Sequence, residues 1–159
     1  MKTTIDIQKA KLIRKYHTLC TKIGMTEEER REMLSNNYGV ESSKDLYVEE
    51  LQHLCRVLQG EADKKEVKVQ EARSRVFGAV GGWLDMMYGP IDRNNTAAKE
   101  QRYEKIKAIA CRQTEHKDFN QIPIERLNNV SHLFSKKLKD FTRGSEIANE
   151  EITVLTLLN

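Results

Sequence analysis

The residues best suited to chemistry form a basic region in the second half of the chain. Between Lys99 and Arg143 the sequence holds eleven basic and six acidic residues, whereas the part from Gly144 onward holds three acids and no base. If helices bring these cations together, they create a surface that contacts phosphates. The candidate nucleic-acid-binding residues are Lys105, Lys107, Arg112, Lys117, Arg126, Lys136, Lys137, Lys139 and Arg143.

Binding through these cations would be weakly specific for sequence. Phosphate contacts position a protein without reading bases, and the sequence shows no basic aromatic platform on which single strands would stack. The alternative interpretation is a solvated helix face, in which long basic side chains cover the edge of the core. The net charge of +3 does not decide between the two.

Two His/Cys pairs carry the residue types that bind zinc. His17 and Cys20 are three residues apart, and His53 and Cys55 are two apart. Residues two apart on a helix point to different faces, and both cysteines belong to apolar stripes. We therefore predict that Cys20 and Cys55 are core residues and that the protein holds no metal.

Other candidate catalytic groups have simpler explanations. The glycine cluster 78–82 is followed by Trp-Leu rather than the Lys-Ser or Lys-Thr of a phosphate-binding loop, so it predicts a close helix approach. Arg112 beside Cys111 would lower the pKa of the thiol, but burial of Cys111 is the favoured alternative. Paired glutamates such as 28–29 and 49–50 fall in first helical turns, where they complement the helix dipole. The sequence thus predicts a protein that is not an enzyme and needs no cofactor.

Hydrophobic residues recur at three- and four-residue steps along almost the whole chain, which is typical of amphipathic helices. Gly24, a capping box from Thr26 to Glu29, Gly39, Gly89-Pro90 and Gly144 provide the helix boundaries. The predicted helices run from about 7 to 22, 26 to 37, 48 to 58, 69 to 87, 97 to 114 and 122 to 143. The last residues, 147–158, are predicted as a short helix, with a strand or a partner-swapped arm as the alternative.

The charged stretch from Gly60 to Lys68 has almost nothing to bury, so it is either a linker or the exposed start of the fourth helix. The predicted fold is therefore all-α, with two small helical units joined by a charged linker or a long helix. Residues 1–60 form a three-helix interaction module, and residues 61–159 form a basic domain of three to four helices.

Composition supports this class. Apolar residues make up 38% of the chain and charged residues 32%. This composition suits helices with one buried stripe rather than a large sheet that is buried on both faces. The N-terminal segment is interrupted by Lys and Asp and is unlike a secretory signal, and no apolar run is long enough for a membrane span. Three unpaired cysteines fit a reducing compartment, so we expect a cytoplasmic protein without membrane contact or a small-molecule substrate.

Two blocks of sequence resemble a known family. Residues 9–58 resemble the GemA-like early regulatory proteins of Mu-like phages and prophages. The resemblance is carried above all by 23–30, Ile-Gly-Met-Thr-Glu-Glu-Glu-Arg, by 38–46, Tyr-Gly-Val-Glu-Ser-Ser-Lys-Asp-Leu, and by 49–51, Glu-Glu-Leu. Residues 107–112 and 119–127 are similar to the C-terminal part of that family as found in Bacteroides-type prophages. The first block is also similar to C-terminal modules of some phage single-strand annealing proteins. The resemblance implies no catalytic residues, and it implies a modulator of host gene expression and DNA topology.

Two binding functions follow as hypotheses. In the first, the basic region binds duplex DNA nonspecifically and alters transcription or supercoiling. In the second, the N-terminal unit is an adaptor for a host DNA-handling protein, such as the acidic tail of a single-strand-binding protein. The residues proposed for that partner, beside an apolar groove, are Arg14, Lys15, Arg30 and Arg31. The glycine-rich helix and the apolar tail each suit either self-association or closure of the monomer's own core, and we expect a monomer.

Overall fold

Helices make up nearly all of the described chain. The computed structural model describes residues 4–92 and 94–157, with residues 147–157 described by their backbone only. The helices are α1 (Thr4–Ile23), α2 (Glu27–Tyr38), α3 (Val48–Tyr88), α4 (Thr96–Thr114) and α5 (Ile124–Leu157), and a 3₁₀ turn at Phe119–Gln121 precedes α5. No strand occurs in these residues, which confirms the all-α prediction.

The chain divides into two compact units, unit 1 (Met1–Val67) and unit 2 (Lys68–Asn159). Unit 1 contains α1, α2 and the first part of α3, and unit 2 contains the second part of α3, α4 and α5. Each unit has its own cluster of buried apolar residues. The division between the units falls inside α3.

In unit 1, local signals in the sequence set the helix ends. Gly24 takes a left-handed φ of +82°, and its N–H and that of Met25 both donate to the Cys20 carbonyl, which closes α1. The Thr26 hydroxyl accepts from the Glu29 N–H at 3.2 Å, and the Glu29 carboxylate accepts from the Thr26 N–H at 2.7 Å, which completes the predicted capping box. Gly39, with φ +66°, ends α2.

Of the two interpretations of residues 60–68, the long helix is confirmed and the linker is wrong, because α3 continues through them without a break. Gly60 is not among the glycines with a positive φ, so it does not mark a turn. Gln59 donates to Asp63 and Lys64 pairs with Glu61, each at 2.9 Å, and Ala62 is buried in the unit 1 core. Pairs three and four residues apart stabilise a polar helix that has little to bury.

Unit 2 packs the second part of α3 against α4 and α5. Ala72, Val76, Val80 and Leu84 form one buried stripe on α3, and the residues that complete the core come from α4, the 3₁₀ turn and α5. A Cβ added to Gly81 would lie 3.6 Å from Ile106, and one added to Gly82 would lie 3.4 Å from Leu138. The predicted close approach of helices therefore occurs at Gly81 and Gly82, whereas Gly78 faces open space.

The prediction that Gly144 ends the last helix is also wrong, since the α5 backbone is helical to Leu157. A single glycine inside a helix costs only about 1 kcal/mol, and no proline follows to enforce a stop. The side chains of 147–157, and Leu158 itself, lie outside what the structure describes. Within the described residues, no helix has both the length and the apolar character of a membrane span.

Candidate functional site

The end of α3 is fixed against α4 by a largely buried arginine. Arg102, whose side chain is 13% exposed, lies 3.3 Å from the Asp85 carboxylate and donates to the Gly89 carbonyl at 3.2 Å. Gly89 has a φ of +83°, which lets the chain turn away after Tyr88. This arrangement holds Trp83 and Tyr88, on the last turns of α3, beside α4.

A groove of about 340 Å³ lies beside these two aromatic residues, between α3, α4 and α5. Ala108 and Ile109 contribute further apolar surface, while Leu84 and Phe134 are buried. The uncharged polar side-chain groups of the lining belong to Gln113, Tyr88 and Trp83. Three cations complete the lining, namely Lys105, Arg112 and Lys137, and no carboxylate does. The groove therefore combines an apolar floor with a positive rim.

Both lysines of the rim lie over aromatic rings. The Lys105 Nζ is 4.3 Å from the centre of the Tyr88 ring, and the Lys137 Nζ is 4.9 Å from the centre of the Phe134 ring and 5.7 Å from that of Trp83. The Trp83 and Phe134 rings meet edge to face, with centres 5.3 Å apart. Because a cation is attracted to the negative face of an aromatic ring, these contacts hold the ammonium groups at the mouth of the groove.

The other predicted cations of unit 2 lie elsewhere. Lys136, Lys139 and Arg143 are exposed on α5, at positions that share the helix face opposite its buried stripe. Arg126, near the start of α5, and Lys117, in the loop after α4, are also exposed. The structure thus separates the predicted basic region into a groove rim and an outward stripe, which we name the α5 stripe (Lys136, Lys139 and Arg143).

Lys107 differs from the other predicted cations because its charge is paired. Its ammonium group lies 2.6 Å from the Glu104 carboxylate, and this hydrogen bond raises the pKa of Lys107 above its ordinary value. It lies on another side of α4, near Tyr103 and Arg73, beside a second and more polar groove. Among the nine predicted cations, it alone forms an ion pair within the described part of the chain.

Sequence reasoning did not select the aromatic residues of the groove, because it looked only for a basic aromatic platform on which single strands would stack. Phe134 and Lys137 are three residues apart on one helix, and that spacing was a usable signal. Lys105 and Tyr88 lie on different helices, so only the packing of α4 against α3 brings them together.

In unit 1, two of the four cations proposed for partner binding are exposed on α1, and the other two lie beside a carboxylate. Arg14 and Lys15 are exposed on α1. Arg30 and Arg31 both lie beside Glu27, at 3.4 and 3.7 Å, and Arg30 Nη1 is also 3.5 Å from the His17 ring. The groove that Arg31 lines is also lined by Glu27, Glu32 and Glu41, so its rim is acidic rather than basic.

The cysteines belong to packed regions, as predicted for Cys20 and Cys55, which are both buried in the unit 1 core. Burial raises the pKa of each of these thiols, and the Cys55 thiol lies 3.6 Å from the Leu12 carbonyl. Cys111 is half-buried, and burial followed by the nearby Asp118 raises its pKa. An activated Cys111 thiolate is therefore contradicted, because Arg112 is not among the groups that act on the thiol.

Comparison with known proteins gives one match. A family model described as "Bacteriophage Mu, GemA protein" matches residues 25–141, a range that includes all of α2, α3 and α4 and the part of α5 that carries Lys136, Lys137 and Lys139. No curated protein and no solved structure matches the chain.

Proposed function

The chain belongs to the bacteriophage Mu GemA family, and from that premise we propose that it is a phage- or prophage-derived, non-catalytic regulatory protein that contacts DNA through unit 2. By this contact it modulates host gene expression or DNA topology. The observation that carries the proposal is the α5 stripe, because its cations point to solvent and have no ion-pair partner among the described residues.

The dimensions of the α5 stripe suit a phosphate backbone. Lys136 and Arg143 are two helical turns apart, which corresponds to about 10 Å along the helix axis. One strand of duplex DNA carries a negative charge for about every 3.4 Å of axis, so the stripe can reach more than one phosphate. Long basic side chains on a helix face provide charge but no fixed hydrogen-bonding pattern toward base edges. The proposed contact is therefore nonspecific in sequence.

The test is a salt series of binding to a labelled random-sequence duplex, followed by fluorescence anisotropy. The wild-type chain is compared with a Lys136→Glu, Lys139→Glu, Arg143→Glu variant. The control variant, Lys11→Glu, Lys44→Glu, Arg56→Glu, makes the same change in net charge at exposed positions of unit 1. We expect the control to keep most of the binding, because overall charge alone does not create a local phosphate-contacting surface.

For the wild type, we expect the affinity to fall steeply with salt, with a slope of about −3 or steeper in a plot of log K against log salt if the whole stripe contacts phosphates. The α5-stripe variant should lose at least about tenfold in affinity at low salt. Wild-type binding that does not weaken with salt, or equal loss in both variants, would contradict DNA contact through α5.

The adaptor function of unit 1 is the alternative proposal. Its support is limited to Arg14 and Lys15, which are exposed and have no ion pair among the described residues. Arg30 and Arg31 share Glu27, which weakens their attraction for an acidic tail. A salt-resistant partner captured by wild-type chain, and lost on replacing Arg14 and Lys15 by glutamate, would favour this alternative.

A further inference from the structure

The cationic groove of unit 2 combines positive charge with apolar surface, and the proposed DNA contact of the α5 stripe involves no such apolar surface. The accessible part of its floor comes from Trp83, Ala108 and Ile109, since Leu84 and Phe134 are buried, and these side chains offer few hydrogen-bonding groups. When an apolar group covers apolar surface at the bottom of a concave groove, both surfaces leave water, which gives a favourable free energy of binding. A purely electrostatic partner such as a phosphate backbone would leave this floor uncovered.

The charges around the floor all have the same sign. Lys105, Arg112 and Lys137 line the groove, and none of them forms an ion pair within the described residues. Asp85, an acid of the adjoining part of α3, is held 3.3 Å from Arg102. A ligand that enters the groove therefore meets unneutralised positive charge on several sides.

We propose that this groove binds an acidic segment of a partner protein, with one large apolar side chain on the floor and the flanking carboxylates on Lys105, Arg112 and Lys137. The volume of about 340 Å³ accommodates a single phenylalanine, leucine or tryptophan side chain with some adjoining backbone. Arg112 offers the fork of donors that matches a carboxylate, and the two lysines offer mobile point charges. The site is separate from Arg14, Lys15 and the other cations of unit 1.

A protein segment fits the groove better than a nucleobase does. Stacking of successive bases requires several open aromatic faces, but Phe134 is 2% exposed and Lys137 lies over the Phe134 and Trp83 rings. Tyr88 is 66% exposed, and Lys105 lies over one face of its ring. A base on this floor would also bury part of its polar edges against Ala108 and Ile109, and the uncharged hydrogen-bonding groups of the lining side chains are limited to those of Gln113, Tyr88 and Trp83. An apolar side chain has no such edges.

The first experiment measures anisotropy of a fluorescein-labelled pentapeptide, Asp-Asp-Phe-Asp-Asp, mixed with the full chain. A peptide in which alanine replaces phenylalanine tests the apolar anchor, and we expect it to bind at least about tenfold more weakly, since burial of a phenylalanine side chain provides that much affinity. Added salt should weaken binding of the phenylalanine peptide without abolishing it, because the apolar contact is not screened.

Three variants locate the site. Ala108→Trp, at an exposed position of α4 that lines the groove, fills the floor without entering the core and should remove binding. Lys105→Glu with Lys137→Glu should weaken binding at least about tenfold through charge reversal. The matched control is Lys136→Glu with Lys139→Glu, which makes the same charge change on the α5 stripe and should retain the peptide. Thermal unfolding by circular dichroism confirms that each variant is folded.

The outcomes separate this site from the proposed DNA surface. Loss of peptide binding in the groove variants, with duplex binding retained by Ala108→Trp, supports the proposal. No binding of the phenylalanine peptide at low salt, equal binding of the alanine peptide, or equal loss in the α5-stripe control would overturn it. Tight binding of labelled oligothymidylate that Ala108→Trp abolishes would also overturn it and assign the groove to single-stranded nucleic acid.

Discussion

The guanidinium of Arg102 lies 3.3 Å from the carboxylate of Asp85, and through this pair α4 holds the end of α3 that carries the groove aromatics. The same guanidinium donates to the Gly89 carbonyl at 3.2 Å. Gly89 follows the last residue of α3, so no further helical turn supplies an N–H to this carbonyl. Arg102 was not among the residues selected from the sequence. It holds the groove in place although it does not line it.

Replacement of Arg102 by alanine should therefore lower the free energy of unfolding by about 1 to 3 kcal/mol, because one change removes an ion pair with the half-exposed Asp85, a hydrogen bond to the Gly89 carbonyl and the packing of the side-chain stem. Urea unfolding followed by circular dichroism measures the effect. Lys99→Ala, at an exposed position of the same helix, is the control and should change the stability little. Equal stability of Arg102→Ala and Lys99→Ala would show that the contact contributes nothing.

Because α3 is continuous through residue 60, a substitution at this position should change the stability of the protein. Gly60→Ala should raise the free energy of unfolding by about 0.5 to 1 kcal/mol, because alanine loses less backbone entropy in a helix and no atom obstructs its Cβ. Gly39→Ala is the matched control, since its Cβ also meets open space but its φ is +66°. That substitution should destabilise the protein by about 1 to 2 kcal/mol. If residue 60 belonged to a flexible linker, Gly60→Ala would leave urea unfolding unchanged.

The capping box of α2 predicts a pH dependence. Hydrogen bonds from the Thr26 backbone and hydroxyl lower the pKa of Glu29 below its ordinary value of 4.5. A carboxyl whose pKa is lowered by folding stabilises the protein above the pKa it has in the unfolded chain. That stabilisation is lost as the pH falls through the lower pKa of the folded state.

The difference in unfolding free energy between wild type and Glu29→Ala should therefore be present at pH 6 and shrink as the pH approaches 3. Glu28→Ala removes a neighbouring first-turn charge outside the capping box and serves as the control. A difference between wild type and Glu29→Ala that stays constant from pH 6 to pH 3 would contradict the assigned hydrogen bonds.

The thiols should react slowly with iodoacetamide in the folded protein. Burial raises the pKa of Cys20, Cys55 and Cys111, and the thiolate is the reactive form. Timed alkylation read by mass spectrometry should modify the half-buried Cys111 first, and all three rapidly after unfolding. Asp118→Asn should accelerate the Cys111 reaction by roughly two- to fivefold by removing a nearby negative charge, whereas Arg112→Gln should not slow it. A slower Cys111 reaction in Arg112→Gln, with no acceleration in Asp118→Asn, would support the hypothesis that Arg112 activates the Cys111 thiolate.

Local signals in the sequence were sufficient for most helix ends. Thr26, Glu29, Gly24 and Gly39 cap their helices as predicted, because capping depends on backbone groups within a few residues. The two wrong boundaries, at residues 60–68 and at Gly144, share a cause. In both places a polar stretch with a glycine suggests a helix end, although the alternative of a long helix stayed open for residues 60–68. There, an ion pair and a hydrogen bond between successive turns stabilise a helix that buries little.

The sequence by itself determined the all-α class, the capped helices and the abundance of cations in the second half of the chain, since periodicity, capping and charge are encoded over short distances. Only the tertiary structure decided that Lys105, Arg112 and Lys137 surround an apolar groove while Lys136 and Lys139 face solvent. The physical reason is that the groove is formed by side chains from three helices. Their juxtaposition depends on how α3, α4 and α5 pack, and no local spacing records that packing.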